Sequence, residues 1–299
     1  MNAANSLPVR PLGKSGIEVP ALGVGTNRWR QGTNDGAVYE TYQALVSGGG
    51  GFLDTAEVYG FGKSEQLIGD CLRKDGRPVV LASKFAPFIA RTSGAQLLAA
   101  LDKSLARLGV ASLDLYYIHF PFPFADLDGL ADALVEAVKR GKTRAVGVSN
   151  FNPEQMKRIA ARLDRAGIPL AANEVNYSLL HRNPEANGVL DACRALDVAL
   201  VAYFPLASGR LAAAPDGKNP RLEALQRALS EIGQAHQASA GEAALNWLLA
   251  RDPHVIPIPG ASKAKHATQN LAALRWKLTD DEFAAIDKAS AAIPGVGLA

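Results

Sequence analysis

The chain is predicted to be α/β, a (β/α)8 or TIM-type barrel preceded by a β-hairpin and followed by an additional C-terminal helix. Two observations carry this. Eight short apolar β-type runs recur along the chain, at 21–24, 51–54, 79–85, 114–119, 143–148, 171–175, 198–204 and 255–258. Between them lie stretches with apolar residues at helical spacing, so strand and helix alternate. Several runs are apolar at consecutive positions, as strands covered on both faces require. A third observation is an absence: no Gly-x-Gly-x-x-Gly follows the first run, which argues against a dinucleotide-binding open sheet.

The elements follow in order. Residues 9–19, with Gly13 and Gly16 as turn residues, read as a hairpin ahead of the barrel. Leu97, Leu101, Leu105 and Leu108 form one helical stripe. Leu127, Leu130, Leu134 and Val138 form a second, and Met156, Ile159 and Leu163 a third. Asn152 before Pro153 marks a capped helix start with proline at its first position. Thr279 with Glu282 is a capping box ahead of Phe283 and Ile286. The stretch 208–220, rich in Gly, Pro, Asn and Asp, reads as a long loop after the seventh strand. No linker or composition shift interrupts the 299 residues, so one domain over 1–299 is expected.

Composition narrows the function. Apolar residues make up 48%, enough for a large core, and the net charge is only +3 with both signs mixed along the chain. No basic stripe suggests nucleic acid, and no run is long enough to cross a membrane as a helix. Cys71 and Cys193 sit among apolar neighbours and read as buried thiols. No Cys/His spacing resembles a zinc site, so no metal is expected. The N-terminus has no apolar signal segment, and a cytoplasmic location is expected.

In a barrel, chemistry gathers at the C-terminal ends of the strands. The second run ends on Asp54, with Tyr59 in the loop beyond. The third carries Lys84, the fourth ends on His119, the fifth on Ser149-Asn150. The sixth carries Glu174 and the seventh Tyr203. Strand order predicts that Asp54, Lys84 and His119 meet on one rim. A phenol with its ordinary pKa of about 10 is a poor acid at neutral pH. A neighbouring ammonium lowers that value, and a half-buried ammonium needs a carboxylate. Asp54 would then hold Lys84, Lys84 would lower the pKa of Tyr59, Tyr59 would give a proton, and His119 would orient the reacting oxygen. Separately, Gly260-Ala261-Ser262 ends a strand and opens a helix, which presents backbone amides to an anion, with Lys263 adding charge.

These residues resemble the aldo-keto reductase family over nearly the whole chain. The resemblance rests on Asp54-Thr55-Ala56 with Tyr59-Gly60, Ser83-Lys84-Phe85, and Asp114-Leu115-Tyr116 with His119. It rests also on Gly147-Val148-Ser149-Asn150-Phe151 and Ile258-Pro259-Gly260-Ala261, in that order. It implies an NADPH-dependent enzyme that reduces aldehydes or ketones to alcohols, with hydride passing from the nicotinamide C4 and Tyr59 as the acid. It implies that Ser149, Asn150 and Glu174 hold the carboxamide and that Tyr203 stacks on the nicotinamide. Leu206, Ala207 and the loop to Arg210 would cover the pyrophosphate. Ser262, Lys263, His266 and Asn270 would take the 2′-phosphate and adenine. Gly25, Thr26, Asn27, Phe204, Pro205, Gly209, Ile258, Gly260 and Gln269 complete the implied cofactor site, and Lys263 implies a preference for NADPH over NADH. The substrate pocket is expected to be lined by Trp29, Phe85 and Phe120, with Phe122 and Phe124 close by.

Four positions depart from the family's usual residues. Glu174 stands where glutamine is frequent, and it is expected to weaken cofactor binding or to pair with a base such as His181 or Arg28. Phe204 replaces a serine, His266 an arginine or glutamine, and Asn27 an aromatic residue. Expected partners are a small carbonyl compound, with no nucleic acid and no membrane, for a monomer or weak homo-oligomer. Two other readings stay open. One is a barrel aldolase with Lys84 as Schiff-base nucleophile. The other is a cofactor-holding regulatory protein, as in the potassium-channel β-subunits that resemble this family.

Overall fold

The structure, a computed structural model, describes residues 7–30, 32–215 and 217–295. A hairpin of β1 (Val9–Pro11) and β2 (Glu18–Pro20) comes first, with Val9 opposite Pro20. Eight parallel strands follow: β3 (Val24–Gly25), β4 (Phe52–Asp54), β5 (Val80–Phe85), β6 (Leu113–Ile118), β7 (Thr143–Ser149), β8 (Leu170–Asn176), β9 (Ala199–Tyr203) and β10 (Val255–Pro257). They pair in chain order, and a parallel bridge from Gly25 to Gly260, with Gly23 N–H donating to the Pro257 carbonyl at 2.9 Å, closes the barrel. The ladder from β3 is shorter than the run that predicts it, because only Val24 and Gly25 reach register with β4.

The helices are α1 (Asp35–Ser47), α2 (Lys63–Asp75), α3 (Gly94–Leu108), α4 (Leu127–Lys139), α5 (Pro153–Asp164), α6 (Asn183–Ala186), α7 (Val189–Leu196), α8 (Pro220–Ala235), α9 (Ala240–Arg251), α10 (Ala264–Ala272) and α11 (Asp280–Ala291). The three apolar stripes lie on α3, α4 and α5 and are buried against the strands, apart from the partly buried Leu127 and Val138 at the two ends of α4. Asn152 caps α5, Gln155 returns the bond, and Thr279 with Glu282 does the same for α11. The stretch 208–220 is not wholly loop. A 3-10 segment (Ala207–Ala212) occupies its start, broken by left-handed Ser208 and Gly209.

Two cores result. The outer one lies between strands and helices. The inner one fills the barrel with small side chains, among them Ala82, Ala145, Ala171, Ala172 and Ala199, beside Phe52 and Tyr117. Gly147 is needed there, since a Cβ would stand 2.6 Å from the Tyr117 ring. Leu12, Ile17 and Val19 of the hairpin join this inner core and stopper one end of the barrel. The other end is left for polar groups.

Candidate active site

The strand ends build the site. Because β4, β5 and β6 are neighbours, Asp54, Lys84 and His119 come together. The Lys84 ammonium is fully buried and donates to Asp54 Oδ1 and, at 2.9 Å, to the Thr55 carbonyl. Its Nζ lies 5.3 Å from the centre of the Tyr59 ring, and that ring meets His119 edge-on at 5.9 Å. The loop bearing Tyr59 is pinned by Glu57, which accepts from Ala86 N–H at 2.9 Å and from Arg91 at 2.7 Å. Ser64, at the start of α2, ties Thr55 to Thr26 at 2.9 and 2.8 Å.

On the opposite wall, Asn150 sits in the left-handed region (φ 63°). Its Nδ2 donates to the His119 carbonyl at 3.2 Å, and its Oδ1 accepts from Tyr203 Oη at 3.0 Å. Ser149 Oγ donates to the Glu174 carbonyl at 2.9 Å. Phe204, Ala207 and Ser208 also have positive φ. Such backbone is unfavourable for non-glycine residues by about 1–3 kcal/mol each and collects where a ligand dictates the path of the chain.

Glu174 corrects an expectation. It pairs with neither His181 nor Arg28. Its side chain crosses the lumen from β8, and Oε2 lies 3.3 Å from Lys84 Nζ. Neighbouring-strand reasoning misses this because a barrel brings opposite strands face to face across its interior.

The electrostatics revise a second expectation. Burial raises the Tyr59 phenol above its usual pKa. Lys84 pulls it down, but Asp54 and Glu174 push it up again, so the net shift is upward, not downward. Burial works against the Lys84 ammonium, yet Asp54 and then Glu174 outweigh it and raise its pKa. Burial, helped by Lys84, pushes His119 down to about 3, so its imidazole is neutral in the physiological range.

A cavity of about 550 Å³ reaches from Tyr59 and His119 to Ser262, His266 and Asn270. Of the expected residues, Gly25, Asn27, Asp54, Ser149, Asn150, Glu174, Tyr203, Phe204, Pro205, Leu206, Gly209, Ile258, Gly260 and Gln269 also line it. Thr26, Ala207, Arg210 and Lys263 do not. Thr26 is a buried strut, and Lys263 is an exposed cap on α10. Lys84 lies beneath the floor.

Trp29 and Phe85 correct the expected substrate pocket. Both are fully buried, Trp29 donates to the Ala261 carbonyl at 2.7 Å, and neither lines the cavity. Phe120 packs 5.7 Å from His119 and does not line it either. Sequence reasoning missed Ser239, Gly241 and Glu242, which line the cavity from the start of α9. The Ser239/Glu242 capping box was the available signal.

The residues present fit an extended dinucleotide. Asn270 Nδ2 is buried without a partner while the residue lines one end, beside the N-terminus of α10. At the other end Glu174 Oε2 and His119 Nδ1 are buried without hydrogen bonds. The family model for the aldo/keto reductase family matches residues 21–291. The chain belongs to that family. This aldo-keto reductase is 35% identical to a 6-dehydroglucose reductase of Novosphingobium aromaticivorans, over 91% of this chain and 92% of the relative. It is 31% identical to a chloroplastic pyridoxal reductase of Arabidopsis thaliana, over 93% and 85%. A solved aldo-keto reductase from Klebsiella pneumoniae in complex with NADPH superposes with a TM-score of 0.82 at 28% identity, over 97% of this chain and 98% of that one.

Proposed function

We propose that this aldo-keto reductase reduces small aldehydes or ketones to alcohols with NADPH, and that Tyr59 is the proton donor. The observation that carries the reading is the pair Tyr59 and His119 at one end of a long groove, standing over the buried Lys84–Asp54 ion pair. Bound in that groove, NADPH supplies the hydride that a carbonyl carbon accepts. The chain does the rest. Ser149, Asn150 and Glu174 hold the reacting end of the groove, and Tyr203 offers a ring face there. Ser262, His266 and Asn270 hold the other end, where the α10 N-terminus favours an anion. Neutral His119 orients the carbonyl oxygen, and Tyr59 gives it a proton. A phenol with a raised pKa stays protonated through the neutral range and still yields to an alkoxide, a stronger base. Lys84 favours the phenolate that Tyr59 becomes.

The aldolase reading has no footing in this site, because Lys84 is buried, bonded to Asp54 and absent from the cavity wall. In the loops that follow β4, β5 and β6, Phe61, Ile89 and Phe124 are exposed at 91%, 80% and 78%, a supply of apolar surface that suits aldehydes with apolar or aromatic bodies. The test follows NADPH absorbance with a panel of aldehydes, comparing the native chain with Tyr59→Phe. Turnover that falls by about 10²–10⁴ in the variant, with NADPH binding retained, is expected. Tight NADPH binding without turnover in either protein would replace the enzyme reading with a regulatory one.

A further inference from the structure

Three ionisable side chains meet at the cavity floor, Asp54 and Glu174 lining it and Lys84 beneath: they are 1%, 2% and 0% exposed. One ammonium faces two carboxyl groups, so the buried cluster carries an excess negative charge if both acids are ionised. The other groups facing Glu174 are Tyr59 from the loop after β4, Tyr117 from β6 and Tyr203 from β9, all neutral phenols whose pKa values are raised, burial being the main cause. Neutral His119 closes the same end. Arg28 lines the cavity but makes no ion pair with Glu174 among the described residues.

Hydrogen bonding points the same way as charge. Two of the three Lys84 N–H groups hydrogen-bond Asp54 Oδ1 and the Thr55 carbonyl, and toward Glu174 Oε2 the ammonium makes an ion pair at 3.3 Å without hydrogen-bond geometry. Asp54 Oδ2 and Glu174 Oε2 are both buried without a hydrogen-bond partner, and both carboxyl groups lie against the same ammonium. Two carboxylates held on one ammonium leave two buried acceptors unsatisfied and repel each other. One proton removes both defects, since a protonated carboxyl group donates while a carboxylate only accepts.

We propose that Glu174 and Asp54 share a single proton at neutral pH, with Glu174 as donor and Asp54 Oδ2 as acceptor. The cluster is then neutral. Glu174, acting as an acid in place of an amide, offers its carbonyl oxygen to the cavity as an acceptor, which is what a carboxamide NH₂ requires. Burial, with Asp54 adding to it, raises the Glu174 carboxyl well above its ordinary range, in agreement. The shared proton also removes one of the two negative charges that oppose Lys84 at Tyr59. On raising the pH the proton leaves, a buried charge appears at the nicotinamide end, and dinucleotide binding weakens. That last consequence rests on the function proposed above; the shared proton does not.

Infrared spectroscopy of the ligand-free protein tests it. A protonated-carboxyl carbonyl stretch is expected near neutral pH, shifting in D₂O, vanishing as pH rises, and absent in Glu174→Gln. No such band in the native chain at neutral pH would overturn the proposal, as would an identical band in Glu174→Gln. Should that variant fail to fold, loss of the native band with rising pH carries the test alone. The second arm measures NADPH dissociation constants by tryptophan fluorescence across pH. Native affinity should fall by up to about tenfold per pH unit above the titration of the pair, while that of Glu174→Gln stays level. Equal pH dependence in both proteins overturns the role in binding. A chain that binds no NADPH at any pH defeats the proposed function, and the infrared band still decides the pair.

Discussion

Among the described residues, two ionic clusters of similar size have opposite design. Away from the cavity, Arg182 on the segment before α6 pairs with Glu185 at 2.7 Å and with Asp287 of α11 at 2.8 Å, and Arg251 of α9 also reaches Glu185. Tyr177 Oη donates to Glu185 at 3.0 Å, and the Arg182 guanidinium stacks 4.9 Å from the Trp247 ring. Two cations meet two anions there. Burial works against the Glu185 carboxylate, but Arg182 and then Arg251 outweigh it and hold its pKa below the usual range. At the cavity floor one cation meets two acids, and Glu174 shifts the other way. A balanced cluster locks elements together. An unbalanced one leaves groups able to change their protonation or their partners, which chemistry needs.

Removing the single cation should break the contrast most strongly. Lys84→Met is expected to lower turnover by about 10²–10⁴, since Tyr59 then faces carboxyl groups with no opposing charge. Steady-state kinetics at saturating NADPH check this, with fluorescence to show that the cofactor still binds. In the balanced cluster, Glu185→Ala leaves Arg182 only Asp287 and takes the carboxylate from Arg251, and should cost about 3 kcal/mol of stability, measured by urea unfolding. Turnover per folded molecule should stay unchanged, because Glu185 does not line the cavity.

The two clusters should also respond to pH with opposite signs. The folded pKa of Glu185 is lowered from 4.5, so its contribution is present above that value and is lost as the pH falls through the folded pKa. The folded pKa of Glu174 is raised from 4.5, so its contribution is complete below that value and is lost as the pH climbs through the folded pKa. Melting curves of the ligand-free protein across pH should therefore show Glu185→Ala flattening the acid limb and Glu174→Gln the alkaline limb. Variants that change the same limb would contradict the contrast. The smallest effect is expected from Asp287→Asn, about 0–1 kcal/mol, since Asp287 is partly exposed and Arg182 keeps its fork on Glu185.

Much of the site was legible because barrel topology converts chain order into neighbourhood. Asp54, Lys84 and His119 end consecutive strands, so their meeting follows from pairing in chain order. Contacts that skip strands were not legible. Glu174 reaches Lys84 across the lumen, whereas local reasoning sent it to His181 or Arg28. Burial depth was also hidden. Trp29 and Phe85 flank the site in sequence but point into the core. Aromatic residues next to a polar motif carry no sign of which face they occupy when the loop geometry is irregular.

The sequence by itself determined the strand–helix alternation, the helix caps at Asn152 and Thr279, and the set of polar groups at the strand ends. These depend on periodicity and local hydrogen bonding, which act over a few residues. Only the tertiary structure decided which acid faces Lys84 from the far wall and that Tyr59 is raised rather than lowered. It also decided that the start of α9 joins the cavity. Desolvation and charge balance are sums over everything packed around a group, and that sum exists only once the barrel has closed.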